Sequence, residues 1–249
     1  MFDTSEREEI REQLTMRARA DPDIVGAALV GSGALGQEDE WSDIDLVLQL
    51  ADYADEKKVV ARWTKWIDEQ FSTADILDVM AGGVRYRVFL LNSSLQIDLS
   101  FFSYGKFRAT GNAFRLLFGS PNPPSAPLAL NMDNAIGMGW LYALHARSAL
   151  ARGKLWQTAM MLDDLRNQII ALACLRHGLN PWHGRDADRL PQDELQALQS
   201  SRATDLTWGE LGRSKEALVE QFRAEVEFHD PSRARSLAEP LKILGAAAR

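Results

Sequence analysis

Residues 28–48 have the sequence ALVGSGALGQEDEWSDIDLVL, and this stretch decides the fold of the first half of the chain. It continues an apolar run, Ile24–Val30, whose small and β-branched residues are typical of a buried strand. Gly31-Ser32-Gly33 then predicts a tight loop, because glycine tolerates turn conformations that other residues avoid. A second apolar run, Trp41–Leu50, predicts another strand with acidic residues at its start. The stretch therefore predicts a strand, a glycine-serine loop and a second strand.

Three aspartates in this half are candidates for a shared site. Asp43 and Asp45 are two positions apart, so in a strand their side chains lie on the same face. Asp98 is embedded in LQIDLSFF, residues 95–102, which predicts a later strand that could lie beside them. Three converging carboxylates repel one another and are costly to desolvate, and a divalent cation removes that penalty. Mg²⁺ prefers a few carboxylates together with substrate phosphates, so the pattern predicts a magnesium site.

The character of the sequence changes near residue 119. Residues 119–127, GSPNPPSAP, contain four of the nine prolines and predict a linker. Long apolar-rich helical segments follow it. We therefore predict an α+β protein with an N-terminal domain at 1–118, a linker at 119–130 and an all-α helical-bundle domain at 131–249.

Composition and charge exclude several classes of protein. The single cysteine, Cys174, excludes an intramolecular disulfide framework, and the charged N-terminus lacks an apolar signal region. No apolar run is long enough to cross a membrane, so we expect a cytoplasmic protein without a membrane partner. The net charge of −7 arises within residues 1–130, which carry 13 Lys and Arg against 20 Asp and Glu. With no basic stripe, we expect no nucleic-acid partner.

The segment at 28–48 resembles the signature of the DNA polymerase β-type nucleotidyltransferase superfamily: an apolar strand, Gly-Ser, a spacer, then Asp-x-Asp in an apolar context. Asp98 fits the third carboxylate of that family. The helical second half is similar in layout to the bacterial aminoglycoside and lincosamide nucleotidyltransferases. The resemblance implies a mixed sheet flanked by helices, followed by a substrate-binding helical domain.

The resemblance also implies roles for individual residues. Gly31 and Ser32 would hold the triphosphate of ATP or another nucleotide, and Asp43 and Asp45 would bind two Mg²⁺ ions. Asp98 would complete the metal site or act as the base for the acceptor hydroxyl. A nucleoside monophosphate such as AMP would pass to a hydroxyl of a small molecule, and pyrophosphate would leave. An aminoglycoside or lincosamide antibiotic would suit this reaction, and the acidic first half would attract a cationic acceptor.

Polar residues in the helical half offer further candidates. By analogy with some antibiotic nucleotidyltransferases, Asp163 or Asp164 would be a general base, and an ordinary polar pair on one helix face is the alternative. Arg166 would reach the triphosphate or be a surface cation, as would Lys154. Trp182 in the loop after Pro181 would stack on a sugar or base, or pack on the helices.

Two other functions remain open from the sequence. The first is transfer of a nucleotide to a protein hydroxyl, as in antitoxin-like relatives. The second is a non-catalytic nucleotide-binding regulator on the same fold. The sequence leaves open the acceptor, the nucleotide base and the oligomeric state.

Overall fold

The computed structural model describes residues 4–246, so the ends of the two predicted domains, residues 1–3 and 247–249, lie outside the described residues. The chain forms two compact units, one ending at Leu128 and the other beginning at Ala129. The first unit is a mixed sheet with helices, and the second is all-α. The fold is therefore α+β, as the sequence predicts.

The described part of the first unit, residues 4–128, contains six strands and three helices. The strands are β1 (Ile24–Val30), β2 (Ile44–Leu50), β3 (Thr73–Ala81), β4 (Val84–Leu91), β5 (Gln96–Phe102) and β6 (Phe114–Phe118). The helices are α1 (Thr4–Ala20), α2 (Gly31–Leu35) and α3 (Glu56–Phe71). The sheet order is β3-β4-β5-β2-β1-β6. Only β2 and β5 run parallel, and the other neighbouring pairs are antiparallel.

Alternation along the two central strands separates the faces of the sheet. On one face, Leu46 of β2 and Leu99 of β5 join a core that includes Leu14 of α1 and Trp63 of α3. The residues that alternate with these leucines along the strands, such as Val47, face away from that core and belong to a small separate cluster. Helices α1 and α3 thus cover one face, and polar residues of the central strands are left to the other.

A buried aspartate anchors α3 to the start of β1. Asp21 accepts hydrogen bonds from the Arg62 guanidinium, from Trp63 Nε1 at 2.9 Å and from the Asp23 backbone at 3.0 Å. Burial alone would raise the pKa of this carboxyl, but the hydrogen bonds, chiefly from Arg62, hold it below its usual value. Asp21, which follows the last residue of α1, therefore has a structural role.

Three sequence predictions for this unit need correction. The predicted tight loop after Val30 is a short helix, α2, that ends at Gly36. Strand β6 was missed by the sequence pattern, and it forms the edge of the sheet beside β1. Strand β2 begins at Ile44, so residues 41–43, which the sequence pattern included in the strand, precede it.

The segment 119–131 has neither helix nor strand. Its first part is nevertheless fixed to the first unit. The Asn122 backbone donates to the Phe107 carbonyl at 2.8 Å, and the Ser125 backbone donates to the Ala109 carbonyl at 3.0 Å. These two hydrogen bonds therefore hold the first part of the proline-rich stretch against the first unit.

Within residues 129–246, the second unit contains five α-helices. They are α4 (Met132–Ala151), α5 (Leu155–Arg176), α6 (Gln192–Ser200), α7 (Trp208–His229) and α8 (Pro231–Gly245). They share one core that includes Leu165, Phe222 and the buried Cys174. Lys215 is fully buried in α7, and its ammonium donates to the carbonyls of Leu244, Gly245 and Ala246 at the end of α8. This cation satisfies carbonyls that the last helical turn leaves unpaired.

Candidate metal site

The pairing of β2 with β5 brings the three predicted aspartates together. Asp45 and Asp98 are partners in the parallel register, and Asp43 precedes β2 by one residue on the same parity as Asp45. One carboxylate oxygen from each of the three lies within 4.8 Å of the others. All three are half-buried. They lie on the face of the sheet that α1 and α3 leave uncovered.

The spacing and chemistry of this cluster are compatible with a metal ion. Oxygen ligands of Mg²⁺ lie about 2.0–2.1 Å from the ion, so opposite ligands are about 4 Å apart and adjacent ones closer. The upper separation of 4.8 Å is somewhat larger than these values, so the carboxylates would have to move closer together around an ion. Burial raises the pKa of Asp98, the hydrogen bond from Gln96 opposes that rise, and the negative charge of Asp43 adds to it. A bound cation would offset both the burial and the repulsion.

Gln96 is a site residue that the sequence analysis missed. Its side-chain amide donates to Asp98 Oδ1 at 3.0 Å and lies 3.3 Å from Asp43 Oδ2. One amide therefore holds two of the three carboxylates and leaves their other oxygens available. Gln96 lies two residues before Asp98 on β5, so strand alternation places both side chains on the same face. This spacing could have identified Gln96 from the sequence.

Gly31 is required where it stands. Its φ is +61°, and a Cβ added there would lie 2.3 Å from Asp45 Oδ2. The backbone at the end of β1 therefore passes directly against the carboxylate cluster. Ser32 follows at a half-buried position, and the triphosphate-binding role suggested for Gly31 and Ser32 stays a prediction.

One of the three acidic residues in the loop before Asp43 is ion-paired. Glu38 forms ion pairs with Arg7 and Arg11 of α1. Arg7, which is buried, also donates to the Asp39 and Ser42 carbonyls and so fixes the loop. Glu38 is therefore tied to α1 by these contacts.

The remaining candidates lie in the second unit. Asp163 is exposed on α5 and accepts a hydrogen bond from Arg166, whereas Asp164 is half-buried. The general-base role suggested for either one stays a prediction. Arg166 is buried rather than a surface cation, while Lys154 is exposed. Trp182 is half-buried in its loop.

Comparisons with known proteins add a distant structural likeness. No protein-family model matches the sequence, and no curated protein matches it. Among the solved structures that match is an aminoglycoside 6-adenyltransferase from Bacillus subtilis, with a TM-score of 0.41 and 14% sequence identity over 96% of this chain and 98% of that chain. No helix within residues 4–246 is both long and apolar enough to cross a membrane.

Proposed function

We propose that this protein is a Mg²⁺-dependent nucleotidyltransferase that moves a nucleoside monophosphate, such as AMP from ATP, to a hydroxyl of a small molecule. The observation that carries the proposal is the cluster of Asp43, Asp45 and Asp98 within 4.8 Å, with Gly31 against it. A glycine-lined backbone beside a carboxylate cluster suits a triphosphate whose charge is neutralised by cations.

The proposed mechanism is an in-line displacement. The acceptor hydroxyl oxygen forms a bond to the α-phosphorus, the bond to the bridging oxygen of the β-phosphate breaks, and pyrophosphate leaves. Bound Mg²⁺ supplies charge neutralisation for the phosphates and lowers the pKa of the attacking hydroxyl. Asp43 and Asp45 would hold the metal, and the Ser32 hydroxyl and the adjacent backbone would orient the triphosphate.

Asp98 is the residue best suited to accept the proton of the acceptor hydroxyl. It is the partner of Asp45 in the parallel pairing of β2 with β5, so its carboxylate lies beside the two that would hold the metal. Gln96 keeps one of its oxygens occupied and so orients the other. A cationic acceptor is part of the proposal because the acidic residues outnumber the basic ones in residues 1–130.

The direct test is transfer from α-labelled ATP with Mg²⁺ to a panel of aminoglycosides and lincosamides. We expect labelled product and pyrophosphate with the wild type, and a loss of at least a hundredfold in Asp43→Asn and Asp45→Asn. Asp52→Asn is a matched control, because Asp52 is an exposed aspartate of the same unit. Equal product from the Asp43→Asn variant and the wild type would exclude this mechanism.

A binding experiment separates catalysis from metal binding. Titration with Mn²⁺ followed by electron paramagnetic resonance should show binding in the wild type and in Asp52→Asn, and weaker binding in Asp45→Asn. Metal and nucleotide binding without transfer to any small molecule would favour a regulator. A gain of one nucleotide on an added protein, seen by mass spectrometry, would favour a protein acceptor.

A further inference from the structure

The second unit contains a cavity of about 380 Å³ between α5, the loop 201–207 and α7. Its volume lies within the range of small-molecule sites. Its wall is partly apolar, with Leu206 and Leu211 among its residues, and Trp156 contributes a side chain that is 75% exposed. The cavity therefore offers a flat aromatic surface next to a pocket.

A buried cation lines the same cavity. Arg166 is only 6% exposed, and Asp163 Oδ1 is the one acceptor it has among the residues that the structure describes. The Asp163 side chain is 68% exposed, so water weakens that ion pair. Arg166 Nε is buried without any hydrogen-bond partner. A desolvated guanidinium with unused donors is costly unless an anion completes it.

Two more groups strengthen the case for an anion. Ser214, which is 1% exposed, has a buried hydroxyl that no described residue contacts by a hydrogen bond. The guanidinium of Arg202, in the loop, also has no acceptor within residues 4–246. Its charge lies close enough to lower the pKa of Arg166, although burial is the larger cause. Two arginines therefore line one small cavity.

The acidic side chains nearby are engaged elsewhere. Asp205 Oδ1 accepts from the Thr207 backbone at 2.8 Å at the start of α7. Glu210 accepts from Thr204 and from Arg213, whose guanidinium also donates to loop carbonyls. These contacts hold the loop in place without neutralising Arg166. The lining therefore carries two arginines and two aspartates, and Arg202 is the arginine of the two that has no ion pair within residues 4–246.

We propose that this cavity binds a small aromatic anion, with its carboxylate or phosphate on Arg166 and Arg202 and its ring against Trp156. All of the residues that line this cavity belong to the second unit. A ligand of this class would complete the hydrogen bonds of Arg166 and shield the two guanidinium groups from each other.

The test is calorimetric titration of the full chain in low salt with EDTA present, so that metal at the aspartate cluster does not contribute. Benzoate and phenyl phosphate are the two anionic probes, and benzyl alcohol is the neutral control. We expect one-to-one binding of at least one anion and at least tenfold weaker binding of the alcohol. Benzoate alone would identify a carboxylate site, and phenyl phosphate alone would identify a phosphate-ester site.

Variants locate the binding. Arg202→Gln and Trp156→Ala change exposed side chains, so they should leave the fold intact, and each should weaken anion binding about tenfold or more. Arg235→Gln is the matched control, since Arg235 is exposed on α8 outside the cavity lining, and it should bind as the wild type does. Binding of neither anion, or equal affinity in Arg202→Gln and Arg235→Gln, would overturn the proposal.

Discussion

Asp98→Asn should make the metal-free protein more stable, because it removes a charge from a repulsive cluster. The oxygens of the three aspartates lie within 4.8 Å of one another. At that distance two unit charges repel by about 0.9 kcal/mol in bulk water and about 3.5 kcal/mol at an effective dielectric constant near 20. Asp98 is half-buried and takes part in two of the three pairs, and an asparagine can keep the hydrogen bond from Gln96.

We therefore expect a gain of about 1–2 kcal/mol in the free energy of unfolding of the first unit in EDTA. For a chain of this size, that gain corresponds to a rise in Tm of roughly 2–8 °C. Saturating Mg²⁺ should reverse the order, because a ligand at a hundredfold its Kd stabilises the wild type by about 2.7 kcal/mol. The variant offers one carboxylate fewer and should gain much less.

The assay is differential scanning calorimetry of wild type, Asp98→Asn and Asp52→Asn, each in EDTA and in Mg²⁺. Asp52→Asn makes the same change in net charge at an exposed position and should match the wild type in both buffers. The reasoning is refuted if Asp98→Asn is less stable than the wild type in EDTA, or if both gain equally from Mg²⁺.

The same cluster gives the stability a defined pH dependence. The pKa of Asp98 is raised in the folded state, so its contribution to stability is full below the unfolded pKa and is lost as the pH rises through the folded pKa. The advantage of Asp98→Asn in EDTA should therefore be absent in acid and grow toward neutral pH.

Three further substitutions test other parts of the fold. Gly31→Ala places a Cβ 2.3 Å from Asp45 Oδ2 at a positive φ, so it should cost about 1–2 kcal/mol in urea unfolding and abolish the Mg²⁺-induced rise in Tm. Asp21→Asn should cost about 1–3 kcal/mol at pH 7, because it removes the charge of a buried carboxylate that accepts hydrogen bonds from the partly exposed Arg62. Since the folded pKa of that carboxyl is lowered, urea titrations should show the deficit shrinking as the pH falls through it. Gly139→Ala puts a Cβ 2.2 Å from a phenylalanine ring of α7 and should destabilise the helical unit by about 1–3 kcal/mol in calorimetry, whereas Gly137→Ala, with only a distant contact, should be nearly neutral.

The central strands could be predicted because their sequence and their environment agree. In β2, Leu46 and Leu48 bury one face, and Asp45 falls on the other. Strand β6 could not be predicted in the same way. Its sequence, FRLLF, is five residues long and shows no strict alternation, and its strand conformation depends on pairing with β1, which lies about 90 residues earlier in the chain.

Some features of the candidate site can be predicted from short sequence motifs, and others depend on contacts between distant parts of the chain. The Asp-x-Asp motif and the glycine before Ser32 are local patterns, and the structure places them together. The neutralisation of Glu38 depends on Arg7 and Arg11 of α1, and that contact exists only once α1 packs beside the loop. A count of acidic residues in the sequence therefore does not show that Glu38 is ion-paired.

The position of Asp98 shows why the sheet order matters more than the motif alone. Strand β5 follows β4 in a hairpin, yet its other edge pairs with β2, from which it is separated by α3 and two strands. This parallel pairing sets Asp45 beside Asp98, and the buried Leu46 and Leu99 beside each other on the opposite face. A one-residue slip of that register would expose the leucines and bury the aspartates. The apolar core under α1 and α3 therefore holds the carboxylates together against their mutual repulsion.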